Sequence, residues 1–446
     1  MPPGHDRRDD AGLSRSLPGA RELPAWPVYL LFAGFPLWWL LGLGAFAVAV
    51  VAIPMLVLLI QRRDVEVPPA FFLWLGFVAW ACAAALELST SSKLIGFGVR
   101  MSNYVGCTVV FLYLYNGRTR LDRRVVLRAL VLFFAVVVAG GYLGMLVPRG
   151  SLSTPVQALL PLNIRNNEYV HALVHPAFAE VQRPYGSPRT FYRPSAPFPY
   201  TNSWGCNVAL LVPLSIAALL TFRRPVWRLA IFGLLAAACL PAFATLNRGM
   251  FLAVGLVLAY TAVRLAARGR LVPLVTVLAG AAVGITVAVA SGVLSSLQER
   301  LHYSQTNVGR QTIYREAFDG AVNSPVFGHG APQPSGTVDV SIGTQGQVWN
   351  VMFSYGFIAL AFFLGWFGLV VLQSWRTRGQ AELWVHATLF VAFATFFYYG
   401  YDGIQLAVVM SAAALALRSR RGDVPVRAGA PAPAVVRQPV GSARRV

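Results

Sequence analysis

Isolated arginines in apolar surroundings, a few histidines and some amides beside glycine are the side chains of this sequence that could do chemistry. The densest stretch is GRQTIYREAFDGAVNSPVFGHG, Gly309 to Gly330. Ile313, Ala317, Phe318 and Ala321 fall at i, i+4, i+5 and i+8, which predicts a short amphipathic helix. Asn323, Ser324 and Pro325 should stop it, and Gly328 and Gly330 predict a tight turn. Arg310 stands at the helix start, where a cation opposes the helix dipole, so something else must favour it there. An anionic ligand and plain solvation are both open. Arg248 lies in Thr245-Leu-Asn-Arg-Gly-Met, a very short segment between two apolar runs. Either a binding interaction or snorkelling to headgroups accounts for it. Arg100 is deeper, with Glu87 at the facing end of the preceding run, and a structural ion pair explains the two as well as a site does.

These residues are set in a chain that only a membrane can solvate. Of the 446 residues 56% are hydrophobic and 12% charged, and apolar runs of about 20 residues, each long enough to cross a bilayer core, recur from residue 27 to 417. The net charge of +20 does not indicate nucleic acid, because most cations sit in short segments between apolar runs. Arginine supplies 36 of the 37 cations, Lys93 being the exception, a skew that suggests a GC-rich bacterial genome. The cysteines Cys82, Cys107, Cys206 and Cys239 fall inside apolar runs without CxxC spacing, so neither a disulfide framework nor a metal site is expected.

The expected fold is an all-α polytopic membrane protein with about twelve transmembrane helices. Spans are placed near 27–43, 44–60, 69–88, 94–115, 124–147, 203–222, 226–245, 249–267, 271–292, 348–374, 381–398 and 402–417. The first two form a tight hairpin in a nearly continuous apolar stretch interrupted by Pro36 and Pro54. Short loops alternate in charge: those holding Arg62 and Arg63, Arg118 to Arg128, Arg223 to Arg228, Arg264 to Arg270, and Arg376 and Arg378 are basic. Short loops on the opposite side hold only Lys93 and Arg248. The positive-inside rule therefore sets both termini in the cytoplasm. Residues 1–25 read as a disordered cytoplasmic arm without a signal peptide, 26–417 as the transmembrane domain, and 418–446 as a disordered basic tail. Two long loops, 148–201 and 293–347, fall on the outer face, and loops of that length in a compact protein usually carry function.

With the topology in place, the chain resembles the O-antigen ligase and O-antigen polymerase superfamily. The resemblance rests on Arg310, Tyr314, Ala317, Pro325, Gly328 and Gly330, followed by an apolar helix with Trp349-Asn350 and Ser354-Tyr355-Gly356-Phe357. Asn247-Arg248-Gly249 and the run Arg193-Pro-Ser-Ala-Pro-Phe leading to Asn202 are further matches, so the likeness covers roughly residues 190 to 370. It implies a membrane glycosyltransferase that moves a glycan from a polyprenyl-diphosphate carrier to an acceptor hydroxyl on the outer face of the bacterial inner membrane. The implied partners are that lipid-linked donor, a glycan, lipid or wall acceptor and the bilayer, with no cofactor, metal or nucleic acid. Arg248 and Arg310 are then expected to hold the diphosphate and stabilise it as it leaves, since guanidinium forks match phosphate oxygens. Asn202 and Arg193 are assigned to substrate binding, with Arg315 as a further candidate that Glu316 and Asp319 could equally neutralise.

One position departs from the family pattern. Where ligases carry a histidine about eleven residues before the glycine matched by Gly356, this chain has Gln345, and an amide cannot act as a general base. Either His329 or Asp339 activates the acceptor, or departure of the diphosphate does most of the work. An exposed loop histidine without a role is the plain alternative for His329; His302, His171 and His175 have weaker claims. A transporter or flippase of lipid-linked saccharides is the second function class, and a scaffold without chemistry the third. The spans are nearly free of acids and the polar residues concentrate in the outer loops, which favours an enzyme.

Overall fold

The computed structural model describes residues 22–62, 64–88, 90, 92–165, 167–182, 190–272, 274–275, 278–280, 286, 289–290, 306–338 and 340–420. Most of the N-terminal arm, nearly all of the C-terminal tail, most of the span expected at 271–292, His302 and Asp339 lie outside these residues.

Among the described residues, eight helices are long and apolar enough to cross a membrane, and Gly403–Arg418 is a shorter apolar one. The first expected span is not continuous. It consists of α1 (Trp26–Phe32) and α2 (Phe35–Leu41), seven residues each. Gly34 and Pro36 part them, proline having no N–H to extend the helix across the junction. Gly42 then turns the chain in the left-handed region (φ 82°) towards α3 (Ala47–Arg62), so the hairpin has one broken arm. Pro54, expected to interrupt the second arm, is carried inside α3 without ending it. α4 (Phe72–Ala83), α5 (Ser92–Asn116) and α6 (Arg123–Leu146) follow.

The 148–201 loop folds into three short helices, α7 (Pro155–Leu159), α8 (Leu162–Arg165) and α9 (Glu168–Val174). A two-stranded antiparallel sheet of β1 (Ala179–Gln182) and β2 (Phe191–Pro194) completes it. α10 (Thr201–Thr221), α11 (Pro225–Ala244) and α12 (Arg248–Ala266) come next. In the second loop lie α13 (Thr306–Asn323) and the paired strands β3 (Gln333–Pro334) and β4 (Ser341–Ile342). α14 (Gln347–Ser374), α15 (Gln380–Thr395) and α16 (Gly403–Arg420) close the chain.

α10 and α16 form the centre of the bundle, α10 against α6, α12 and α15, and α16 against α5. Ala407, Ala412, Ala413 and Ala414 of α16 are fully buried, because small side chains let helices approach closely where no aqueous hydrophobic effect drives association. α11 is peripheral, and Val226, Leu229 and Phe232 on its exposed face are the apolar side chains that a lipid-facing surface needs.

α13 forms where its apolar spacing predicts it, ends at Asn323 and buries Ile313, Ala317 and Ala321 against α14. Phe318, expected on the same face, is 50% exposed with its ring set edge-on to Phe357. What fixes α13 is an interruption in its partner. Gly356 has φ 80° and ψ 178° in the middle of α14, so the carbonyls of Phe353 and Ser354 lose their helical donors. The His329 and Gly330 N–H groups donate to those carbonyls at 3.0 and 2.8 Å, and the Phe357 N–H donates to Pro325 O at 2.9 Å. The Pro325 to Gly330 turn and the Ser354-Tyr355-Gly356 segment are thus two halves of one joint. A β-carbon on Gly356 would meet Val326 O at 2.3 Å, and one on Gly328 would meet Phe353 O at 2.5 Å.

Gly356→Ala should therefore destabilise the protein by about 2 kcal/mol or more, from strained φ together with a backbone clash. Gly365→Ala, whose β-carbon makes only an ordinary contact with Leu73, should leave thermal unfolding in detergent nearly unchanged.

Candidate functional site

Four separate segments converge at one end of the bundle: the β1–β2 hairpin, the N-terminus of α10, the α11–α12 turn and α13. Arg193 on β2 is 4% exposed. Its Nε donates to Thr245 O at 2.8 Å, and its Nη1 pairs with Glu180 Oε1 at 3.4 Å. The strand register places Glu180 directly opposite Arg193, and Glu180 Oε2 also accepts the Thr201 N–H at the start of α10. Burial pulls the Arg193 guanidinium down from its ordinary value. Glu180 and Tyr399 oppose that shift, while the like charges of Arg310 and Arg248 add to it.

Arg248 is the first residue of α12 and is half-buried. Its position follows from Asn247, the N-cap, whose Oδ1 accepts the Met250 N–H at 3.2 Å and the Tyr399 hydroxyl at 2.9 Å. Asn247 Nδ2 donates to Thr201 O and Asn202 Oδ1, at 3.3 and 3.4 Å. One amide thereby joins α10, α12 and the segment after α15. The preceding residue, Leu246, lies in the left-handed region at φ 49°, a strained conformation for a residue with a side chain. The Arg193 bond to Thr245 O and the Thr245 hydroxyl bond to Ala242 O hold the turn.

Arg310 reaches the cluster from α13, and its charge acts on Arg193, Arg248, Tyr314 and Tyr399. Its side chain is half-buried, and its Nε is buried without a hydrogen-bond partner. Three guanidiniums from three segments thus stand within mutual electrostatic reach, and the carboxylate bonded into the group, Glu180, is engaged by Arg193 and Thr201. Such an arrangement is unfavourable unless an anion completes it.

Arg193, Arg248, Arg310 and Asn202 are therefore brought together. Arg315 is exposed, and the neighbouring Glu316 takes the Thr337 hydroxyl. His329 stays half-buried at the glycine joint, its Nε2 3.0 Å from Gly320 O and its ring 4.6 Å from that of Phe353. Gln345 is half-buried in the turn before α14. The Arg100 charge acts on the buried Tyr355 phenol, and Glu87 is exposed. Among the described residues no cluster of three or more His, Cys, Asp or Glu could hold a metal ion.

The structure adds two residues. Gln347 is 2% exposed, donates to Tyr104 OH at 3.1 Å and accepts the Tyr401 N–H at 2.9 Å, so it fixes the 398–402 segment beside the arginines. Asp402, just before α16, accepts the Ser203 hydroxyl at 3.1 Å. Its side chain is exposed to solvent although protein lies on several sides of it. Burial pushes the Asp402 carboxyl up, and the Ser203 hydroxyl pulls it partway back. An acid in a polar turn between two apolar helices carries no periodic signal in the sequence.

Residues 240–373 match the family model described as O-antigen ligase. That segment runs from the end of α11 through Asn247-Arg248-Gly249 and α13 to the glycine joint and most of α14. Over these residues the chain is similar to the O-antigen ligase and polymerase superfamily. With its apolar helices, the chain is a multi-pass bacterial membrane protein. No curated protein matches the chain. Arg193, Asn202 and Asp402 lie outside the O-antigen ligase segment, and the fold brings them to it.

Asn247→Ala removes the α12 cap and the three-way amide bond together. Thermal unfolding should show a loss of about 1–2 kcal/mol, larger than for Asn202→Ala, which removes only the longest of those bonds.

Proposed function

We propose that this protein transfers a glycan from a polyprenyl-diphosphate carrier to an acceptor hydroxyl at the outer face of the cell membrane. The convergence of Arg193, Arg248 and Arg310 carries this reading. A diphosphate gains negative charge as the glycosidic C–O bond breaks, and preorganised guanidiniums stabilise that charge without reorganising. The unpartnered Nε of Arg310 supplies a donor for a phosphate oxygen. Arg193, tied to Glu180 and Thr245, acts as a fixed wall, while Arg248 and Arg310 take the phosphates. Asn202 and Asn247 hold Arg248 in register.

Twelve spans with both termini in the cytoplasm put this cluster on the outer side, opposite the basic short loops. A membrane-impermeant maleimide on intact cells should label a cysteine placed at Ser335 and spare one placed at Arg376, with the native cysteines replaced. The reverse pattern would put the site in the cytoplasm.

The decisive assay uses protein purified into nanodiscs with labelled polyprenyl-diphosphate oligosaccharide extracted from the host. Arg248→Ala and Arg310→Ala should each lower turnover by about a hundredfold or more, the scale of removing one transition-state charge stabiliser. A ladder of longer glycans identifies a polymerase, and a single transfer to an added acceptor identifies a ligase. No turnover of the authentic donor by the wild-type protein overturns the reading in favour of a flippase, and turnover indifferent to both arginines removes the diphosphate role given to them.

A further inference from the structure

An acceptor hydroxyl must lose a proton when its oxygen joins the anomeric carbon, and the arginines cannot take it. Of the other groups, Gln345 is an amide and cannot act as a base. His329 is packed into the glycine joint, its Nε2 against the Gly320 carbonyl. Glu180 spends both oxygens on Arg193 and Thr201. His386 is fully buried, its ring nitrogens bound to Tyr260 and Ser374, beside the basic segment at the other end of α15. His175 is bonded to Gln157 in the α7–α9 segment. Glu316 hydrogen-bonds Thr337 in the loop beyond α13.

Asp402 is differently placed. Asn202 and Ser203 are consecutive at the start of α10; Asn202 accepts from Asn247 beside Arg248, and Ser203 donates to Asp402. The carboxylate and Arg248 therefore flank the same helix end. The carboxylate is reached by solvent while protein encloses it. Among the described residues, Ser203 is the one side chain whose hydrogen bond acts on it, and no arginine is paired with it. The nearby titratable groups are the Cys206 thiol on α10 and the Tyr401 phenol in the same turn. On α5, Asn103 packs against Gly403, and its Oδ1 is buried without a partner. A carboxylate held by a hydroxyl and not by a guanidinium keeps the basicity that an ion pair would remove.

We propose that Asp402 is the general base of this site, accepting the proton of the acceptor hydroxyl as the glycan is transferred. The inference rests on the glycan-transfer reading above. The acceptor oxygen bonds to the anomeric carbon, and the bond from that carbon to the phosphate oxygen breaks. The electron pair leaves on the diphosphate against the arginines, and the proton passes to an Asp402 oxygen and later to water. Ser203 orients the carboxylate as a positioning residue.

Two measurements on the full-length protein in nanodiscs test this. Binding of polyprenyl diphosphate without its glycan reports the arginine cluster and the integrity of the fold. Turnover of the host-extracted lipid-linked glycan reports the base. Asp402→Asn should bind polyprenyl diphosphate within about twofold of wild type yet turn over about a hundredfold more slowly or less. Asp402→Glu should restore part of the rate and shift the acidic limb of the pH–rate profile. Asp402→Asn turning over within about threefold of wild type overturns the assignment while leaving the glycan-transfer reading intact. So does a parallel loss of binding and turnover in both Asp402 variants, which would make the residue structural. No turnover of the lipid-linked glycan by the wild-type protein removes the glycan-transfer reading itself, and the base with it.

Discussion

The joint at Gly356 is the constraint on which the placement of the site depends. A helix in a membrane cannot leave its backbone groups unpaired, because no water reaches them in the hydrocarbon. By turning out of helical geometry, Gly356 frees two carbonyls of α14 and one N–H, and the Pro325 to Gly330 turn satisfies all three. The second loop is thereby bonded to the bundle by backbone, with little dependence on side-chain shape. α13 is held by that bond at one end and by Ile313, Ala317 and Ala321 along its length. Arg310 consequently comes from a rigid element, although it lies within a loop of the membrane topology.

The second organising feature is a concentration of like charge. Arg193 is nearly buried and senses both Arg248 and Arg310, while Glu180 offsets part of the charge. The surroundings are built to hold that charge: Asn247 bonds to three segments, Leu246 is strained, and Thr245 takes Arg193. Stability given up in this way is characteristic of a site preorganised for an anion. Asp402 sits beyond the Asn202–Ser203 step, so positive and negative functions occupy adjacent positions at one helix end without cancelling each other.

Much of this was legible in the chain. The long apolar spans follow from composition, α13 and its stop follow from periodicity and Pro325, and Arg248 and Arg310 stood out as cations without an obvious reason to be where they are. The errors were local. Pro54 does not break α3, since the surrounding apolar sequence carries the helix past it, whereas Pro36 beside Gly34 does break the first arm. Phe318 leaves the buried face because it lies about 100° around the helix from Ala317, where its ring meets only the edge of Phe357. His329 has the sequence setting of a free loop histidine, yet the glycines on either side serve the joint, and its ring packs against Phe353.

By itself, then, the sequence determined the solvent of this protein, its helical class and which residues were out of place. Those properties are set by hydrophobicity and spacing along the chain, which need no partner. Only the tertiary structure decided that Arg193 joins Arg248 and Arg310, that Gln347 is a strut and that Asp402 is exposed beside Ser203. These facts depend on contacts between residues tens to hundreds of positions apart. No periodicity encodes them, because each is made when separate helix ends meet.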